Sequence, residues 1–180
     1  MVEMEQGTQS YGRHSWSRLW RHLLHGPRAL RRDFPPAVLK RIEQAVSDCE
    51  GRHPGEIRFA LESSLPVEAA WHGVTPRHRA IEAFSALRVW DTEHNNGVLI
   101  YLLLADRDVE IVADRGVAGG RVPPAEWSDV CRLMERHFRA GDFADGAVAG
   151  IEAVAGVLAR YPPGDTSIGN ELPNAPVVLG

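Results

Sequence analysis

The chain has 180 residues, 20 basic and 24 acidic side chains, and a formal net charge of −4. That length suits one domain with a sizeable core, and so small a charge gives no ground for a nucleic-acid partner. Cys49 and Cys131 have neither metal spacing nor a disulfide framework, and both fall on the apolar stripe of a predicted helix, so they read as buried reduced thiols.

Residues 1–14 are polar and read as a disordered lead without a secretory signal. No apolar run is long enough to cross a bilayer, so the cytoplasm is the expected location. Residues 15–34 read as an amphipathic helix and a linker. Trp16, Leu19, Trp20, Leu23 and Leu24 recur at helical spacing, with Ser15 as the expected N-cap and a basic opposite face. Packing on its own domain is the default for such a helix. The alternative is contact with a protein partner or peripheral attachment to an anionic membrane surface, in which Trp16 and Trp20 are the binding residues.

Gly26-Pro27 breaks that helix, and Pro35-Pro36 opens a second, with Val38, Ile42, Ala45, Val46 and Cys49 on one face. The folded domain is expected over residues 35–161, and residues 162–180 form a tail. After the turn His53-Pro54-Gly55, residues 56–62 alternate Ile57, Phe59 and Leu61 with polar residues, as a strand does. Glu56 and Glu62 on that strand need partners, and Arg58 is the obvious one. A short helical turn is expected at 67–71. Thr75-Pro76 caps a helix through Arg88 with Ile81, Phe84 and Leu87 on its stripe.

The longest apolar run, 98–105, reads as a fully buried strand. The charged turn Asp106-Arg107-Asp108 then folds back into an alternating strand at 109–113. Gly116 to Arg121 reads as a glycine-rich loop. A helix with Trp127, Val130, Cys131, Met134 and Phe138 on one stripe follows, and a final helix occupies 142–161. Val177-Val178-Leu179 could add an edge strand. The crossover from the first strand to the second favours parallel pairing, so the expected fold is α/β, a three-layer α/β/α sandwich with a small mixed sheet of three to four strands.

Hairpin geometry then collects Asp91, Glu93, His94, Asn95 and Asn96 on the same edge as Asp114 and Arg115. Carboxylates with amide oxygens are hard-cation ligands. Asp91, Glu93, Asn95, Asn96 and Asp114 are therefore the candidate calcium or magnesium set, with Arg115 beside them as a binding residue. His94 is a further candidate there, since a histidine side chain can serve as an acid or base near neutral pH. The competing reading is a turn with solvated charges. Asp106-Arg107-Asp108-Val109 resembles the Asp-x-Asp-x-Val nucleophile pattern of one phosphatase class, although Glu110 holds its fifth position, and the next element is a strand rather than the loop and helix that chemistry needs. No lysine follows Lys40 either, so a hairpin turn in which Arg107 pairs with a neighbouring acid is expected. A phosphate-binding glycine loop ending in lysine, a serine nucleophile elbow and a cysteine phosphatase loop are all absent from the sequence.

Asn95-Asn96-Gly97-Val98-Leu99, Leu102 to Arg107, Val109-Glu110-Ile111 with Asp114-Arg115-Gly116, and Phe138-Arg139-Ala140-Gly141-Asp142-Phe143 together resemble the TPM domain family, over residues 35–161. That family includes a thylakoid photosystem II repair protein and bacterial membrane proteins. The resemblance implies an α/β/α sandwich. Acid phosphatase activity is assigned to some members, and some bind calcium. Asp114-Arg115-Gly116 stands where many members show a Gly-Tyr-Gly type sequence. With no signal peptide or membrane anchor, the chain is expected to be a soluble bacterial branch. The functional expectation is a non-catalytic accessory or binding module able to hold a divalent cation, and the alternative is a metal-dependent phosphatase acting on phosphate monoesters.

Overall fold

A computed structural model describes residues 16–162 and 169–179. The expectations for residues 1–14 and for Ser15 as a cap lie outside the described residues. Four strands form one open mixed sheet: β1 (Glu56–Glu62), β2 (Gly97–Leu103), β3 (Asp108–Ala113) and β4 (Val177–Leu179), in the order β3-β2-β1-β4. β1 pairs in parallel with β2 and with β4, and β2 pairs antiparallel with β3. The crossover, the hairpin and the edge strand thus follow the sequence pattern.

Each face of the sheet carries its own apolar cluster. On one face Ile57, Phe59, Val98, Ile100, Leu102 and Ile111 pack against α3 (Pro36–Glu50), α7 (Pro124–Ala140) and α8 (Phe143–Arg160). On the other, Ala60, Leu99, Tyr101 and Val112 meet α5 (Pro76–Ala86) and Ala69 and Ala70 of α4 (Val67–Trp71). Because β2 is central and covered twice, all of its residues are buried, and this is why it reads as an unbroken apolar run. Gly97 begins it for a steric reason: a β-carbon there would lie 1.9 Å from the Val89 carbonyl oxygen.

Three local expectations are corrected. Residues after Gly26-Pro27 form another helix, α2 (Pro27–Asp33), since a proline that stops one helix is also pre-organised to start the next. It brings Leu30 into the core beside Phe34, so the apolar interior begins ahead of residue 35. The stretch after Asp114 begins as a helical turn, α6 (Arg115–Ala118), capped by Asp114 and anchored by buried Val117. On α5 the side facing the sheet is Ala80 and Ala83, while Ile81 is 46 % exposed. Small residues let α5 lie close to the sheet, and volume rather than hydrophobicity chose the face. The Thr75 cap is as expected, its hydroxyl accepting from the His78 N–H at 3.1 Å.

Candidate functional site

The register places Glu56 beside Gly97 and Val98 beside Ala113, so the start of β1, the start of β2 and the end of β3 form one rim. Asn95 adopts a left-handed conformation (φ 51°) that asparagine tolerates. Its side-chain oxygen accepts from Arg115 Nε at 3.0 Å, and its carbonyl accepts from the Gly116 N–H at 2.9 Å. A β-carbon on Gly116 would sit 2.4 Å from the His94 carbonyl oxygen, so only glycine lets α6 close on this loop. Asp114 Oδ1 accepts from the Arg115 N–H at 2.7 Å, while its Oδ2 is buried without a partner.

The rim thus brings together Asn95, Asp114 and Arg115, but not the other expected ligands. Asp91 is exposed and lies 3.9 Å from Arg88. Glu93 is exposed too, and its N–H donates to the Glu171 carboxylate at 3.0 Å. Asn96 turns away, its Nδ2 donating to the Pro54 carbonyl. Within the set Asp114 Oδ2 is the buried carboxylate oxygen without a partner, while the side chains of Asp91 and Glu93 stand in solvent; calcium takes six to eight oxygens. Among the described residues no group of three His, Cys, Asp or Glu side chains is placed to hold a metal ion.

On the β1 side of the rim Asn96 lines a cavity of about 450 Å³ with Glu50, His53, Glu56 and Glu171. These residues were not singled out as a site in the sequence, where His53-Pro54-Gly55 reads as an ordinary turn. The signal that could have found them is a helix ending in Glu50 and a strand opening with Glu56 across that turn. Burial raises the Glu56 carboxyl, with Glu50 and Glu171 adding repulsion, although the Leu172 and Glu171 N–H groups partly offset this. Burial raises Glu50 as well and lowers His53.

The other end of the sheet is paired. Asp106, in the β2–β3 turn, receives Arg18 Nε at 2.9 Å and Arg21 Nη2 at 3.2 Å, with His22 Nε2 at 3.3 Å. His22 Nδ1 accepts from the Leu65 N–H at 3.0 Å. Burial by itself would raise the Asp106 carboxyl, but the His22 and Arg18 hydrogen bonds and the Arg18 charge hold it well below the usual carboxylate range. The expected Arg107 pair does not form; Arg107 stands exposed at φ 52°, as the tight turn requires. Glu62, almost fully buried, accepts from Arg79 Nε at 2.8 Å and from the Tyr101 hydroxyl at 2.6 Å. Arg58 instead donates to the Pro173 and Ala175 carbonyls, fastening the tail beside β1.

These ion pairs decide how helix α1 (Trp16–Leu24) sits. Its basic residues face the domain, so its apolar side looks outward: Trp16 is 64 %, Trp20 57 % and Leu24 76 % exposed. Trp16 meets Trp71 of α4 edge to face at 5.8 Å. The helix does rest on its own domain, but through the side the default reading assigned to solvent.

A mixed sheet between helical layers, with its loops gathered at two opposite ends, defines a three-layer α/β domain. The TPM domain pattern matches residues 34–157, and the chain belongs to that family. The NMR structure of the BA42 protein from the psychrophilic bacterium Bizionia argentinensis is 31 % identical, with a TM-score of 0.68, covering 79 % of this chain and 92 % of that one. The N-terminal domain of the cg2496 protein from Corynebacterium glutamicum is 18 % identical, with a TM-score of 0.49, covering 81 % and 79 %. None of the curated proteins compared with the chain matches it. Among the described residues, no helix is long and apolar enough to cross a membrane.

Proposed function

We propose that the protein is a non-catalytic binding module that docks a protein partner on the outward face of α1. The single observation that carries this reading is the exposed stripe of Trp16, Trp20, Leu23 and Leu24, continued by Trp71. Contiguous apolar surface of this kind marks interaction sites, and tryptophan is enriched among the residues that dominate binding. A helix lying on an anionic membrane would instead turn its arginines to the headgroups. Here Arg18, Arg21 and His22 are committed to Asp106, which favours a protein. The two free cysteines fit a reducing compartment, in keeping with a cytoplasmic module.

The test is quantitative proximity labelling in the source cell with the full chain and with a Trp16→Ser, Trp20→Ser variant. A partner labelled by the parent and lost with the variant supports the reading. Identical profiles, or binding of the parent alone to anionic vesicles, count against it. Deleting residues 1–34 would not be a clean comparison, since it removes Leu30 and Phe34 from the core.

A divalent cation at the rim is a second reading, favoured by the unpartnered Asp114 Oδ2. It requires the loop at residues 91–94 to close over that oxygen. A calcium titration should then move the amides of 91–97 and 114–116 in the parent and not in Asp114→Asn; no saturable shift would end it. The phosphatase alternative depends on the same ion, so turnover of a phosphate ester unaffected by Asp114→Asn would dismiss it.

A further inference from the structure

Three buried polar atoms without partners belong to residues that line one cavity: Glu50 Oε1, His53 Nε2 and Asn96 Oδ1. His53 is 4 % and Asn96 3 % exposed. An orphaned buried donor or acceptor costs about 1–3 kcal/mol, and here three belong to residues that line one cavity, whose wall has only to give slightly for a bound molecule to reach them. A volume of about 450 Å³ is in the range of small-ligand sites.

The chemistry of each orphan can be assigned. The Gly55 N–H donates to His53 Nδ1 at 3.2 Å, so the ring proton is on Nε2, which is a donor. Asn96 uses its Nδ2 on the Pro54 carbonyl, leaving Oδ1 as an acceptor. Glu50 Oε1 is an acceptor on a carboxyl that burial raises and a hydrogen bond with Asn174 partly lowers, and Glu56 and Glu171 add two more carboxyl groups. No lysine or arginine is among the lining residues to balance them. A protonated Nε2 has no lone pair for a metal ion, and among the described residues no group of three His, Cys, Asp or Glu side chains is placed to hold one.

We infer that this cavity binds a small organic cation, an ammonium or guanidinium group whose N–H donors meet Glu50 and Asn96, with a neighbouring oxygen that accepts from His53 Nε2. The walls are the C-terminal end of α3, the turn into β1, and residues 169–171 of the tail. Those tail residues lie beyond the segment matched to the family, whereas Glu50, His53, Glu56 and Asn96 lie within it. It is separate from α1, and its success or failure leaves the docking reading untouched.

The test is an NMR titration of the full chain with ethanolamine and agmatine as probes, and with ethylene glycol, acetate and calcium as controls. A saturable response to either cation at millimolar concentration is expected, centred on residues 50–56, 96 and 169–172, with at least ~tenfold weaker binding in Glu50→Gln. Should that variant fail to fold, Glu171→Gln, which alters an exposed tail side chain, is expected to weaken binding by about threefold. The proposal is overturned if neither cation saturates by ~10 mM, if ethylene glycol or calcium produces the same response, or if the folded variants bind as the parent does.

Discussion

The two ends of the central sheet treat buried polarity in opposite ways. Where β2 turns into β3, Asp106 is held by three basic side chains, and Glu62 close by is held by Arg79 and Tyr101. At the rim where β1 and β2 begin, polar atoms are buried without partners. Of six such atoms among the described residues, those of Glu50, His53, His94, Asn96 and Asp114 belong to the rim, and only Asp108 Oδ1 belongs to the turn end. A fully paired network stabilises and orients, so the turn end is read as structural, the clasp that seats α1. Unpaired groups are carried at a loss of stability, which makes the rim the end built for a ligand. Open α/β sheets ordinarily bind at the carboxyl ends of their strands, and here side chains of α1 sit on Asp106 at that end while the proposed cavity lies at the opposite one.

The comparison breaks most readily at Asp106. Asp106→Ala leaves three basic groups facing one another, and unfolding in urea should show a loss of about 3 kcal/mol, with altered tryptophan fluorescence as α1 lifts. The sign with pH follows. A carboxyl held below its ordinary value of 3.8 contributes fully above that value and loses its contribution as pH falls through the lowered one, so α1 should undock in acid while the parent core persists. Tyr101→Phe should cost about 1–2 kcal/mol by removing the second donor to buried Glu62.

Asp108 is the exception at the turn end and sharpens the contrast. Burial, followed by the charges of Glu110, Glu135 and Asp106, pushes its carboxyl up to about 6. A raised carboxyl opposes folding above its ordinary value, and increasingly so as pH rises towards 6. Asp108→Asn should therefore stabilise the protein at pH 7 by ~1 kcal/mol, allowing for partial exposure, and the gain should vanish near pH 4. The smallest effect is expected for the Trp16→Ser, Trp20→Ser pair, within ~0.5 kcal/mol of the parent, because an exposed docking face adds little to folding.

Much of the scaffold could be read directly from residue patterns: the buried run of β2, the alternation in β3, the crossover, the Thr75 cap and the edge strand at Val177. The rim too was foreseen as an edge, since hairpin geometry alone sets Asn95 near Arg115. What could not be read are choices made between distant residues. Nothing local tells that Glu62 takes Arg79 instead of Arg58, that Ala83 rather than Ile81 faces the sheet, or that Asp106 captures the basic side of α1 and turns its tryptophans outward. The cavity was missed for the same reason. Glu50, Asn96 and Glu171 are far apart in the chain, and it takes the parallel pairing of β1 with β2 and the packing of the tail beside β1 to make them neighbours.

The most direct measurement is the urea unfolding free energy of Asp106→Ala beside that of Glu50→Gln, at neutral pH and without added ligand. If paired polarity holds the fold and orphaned polarity waits for a ligand, the first loses about 3 kcal/mol and the second stays within ~0.5 kcal/mol of the parent or gains. Equal losses in the two variants would contradict that division between the ends of the sheet.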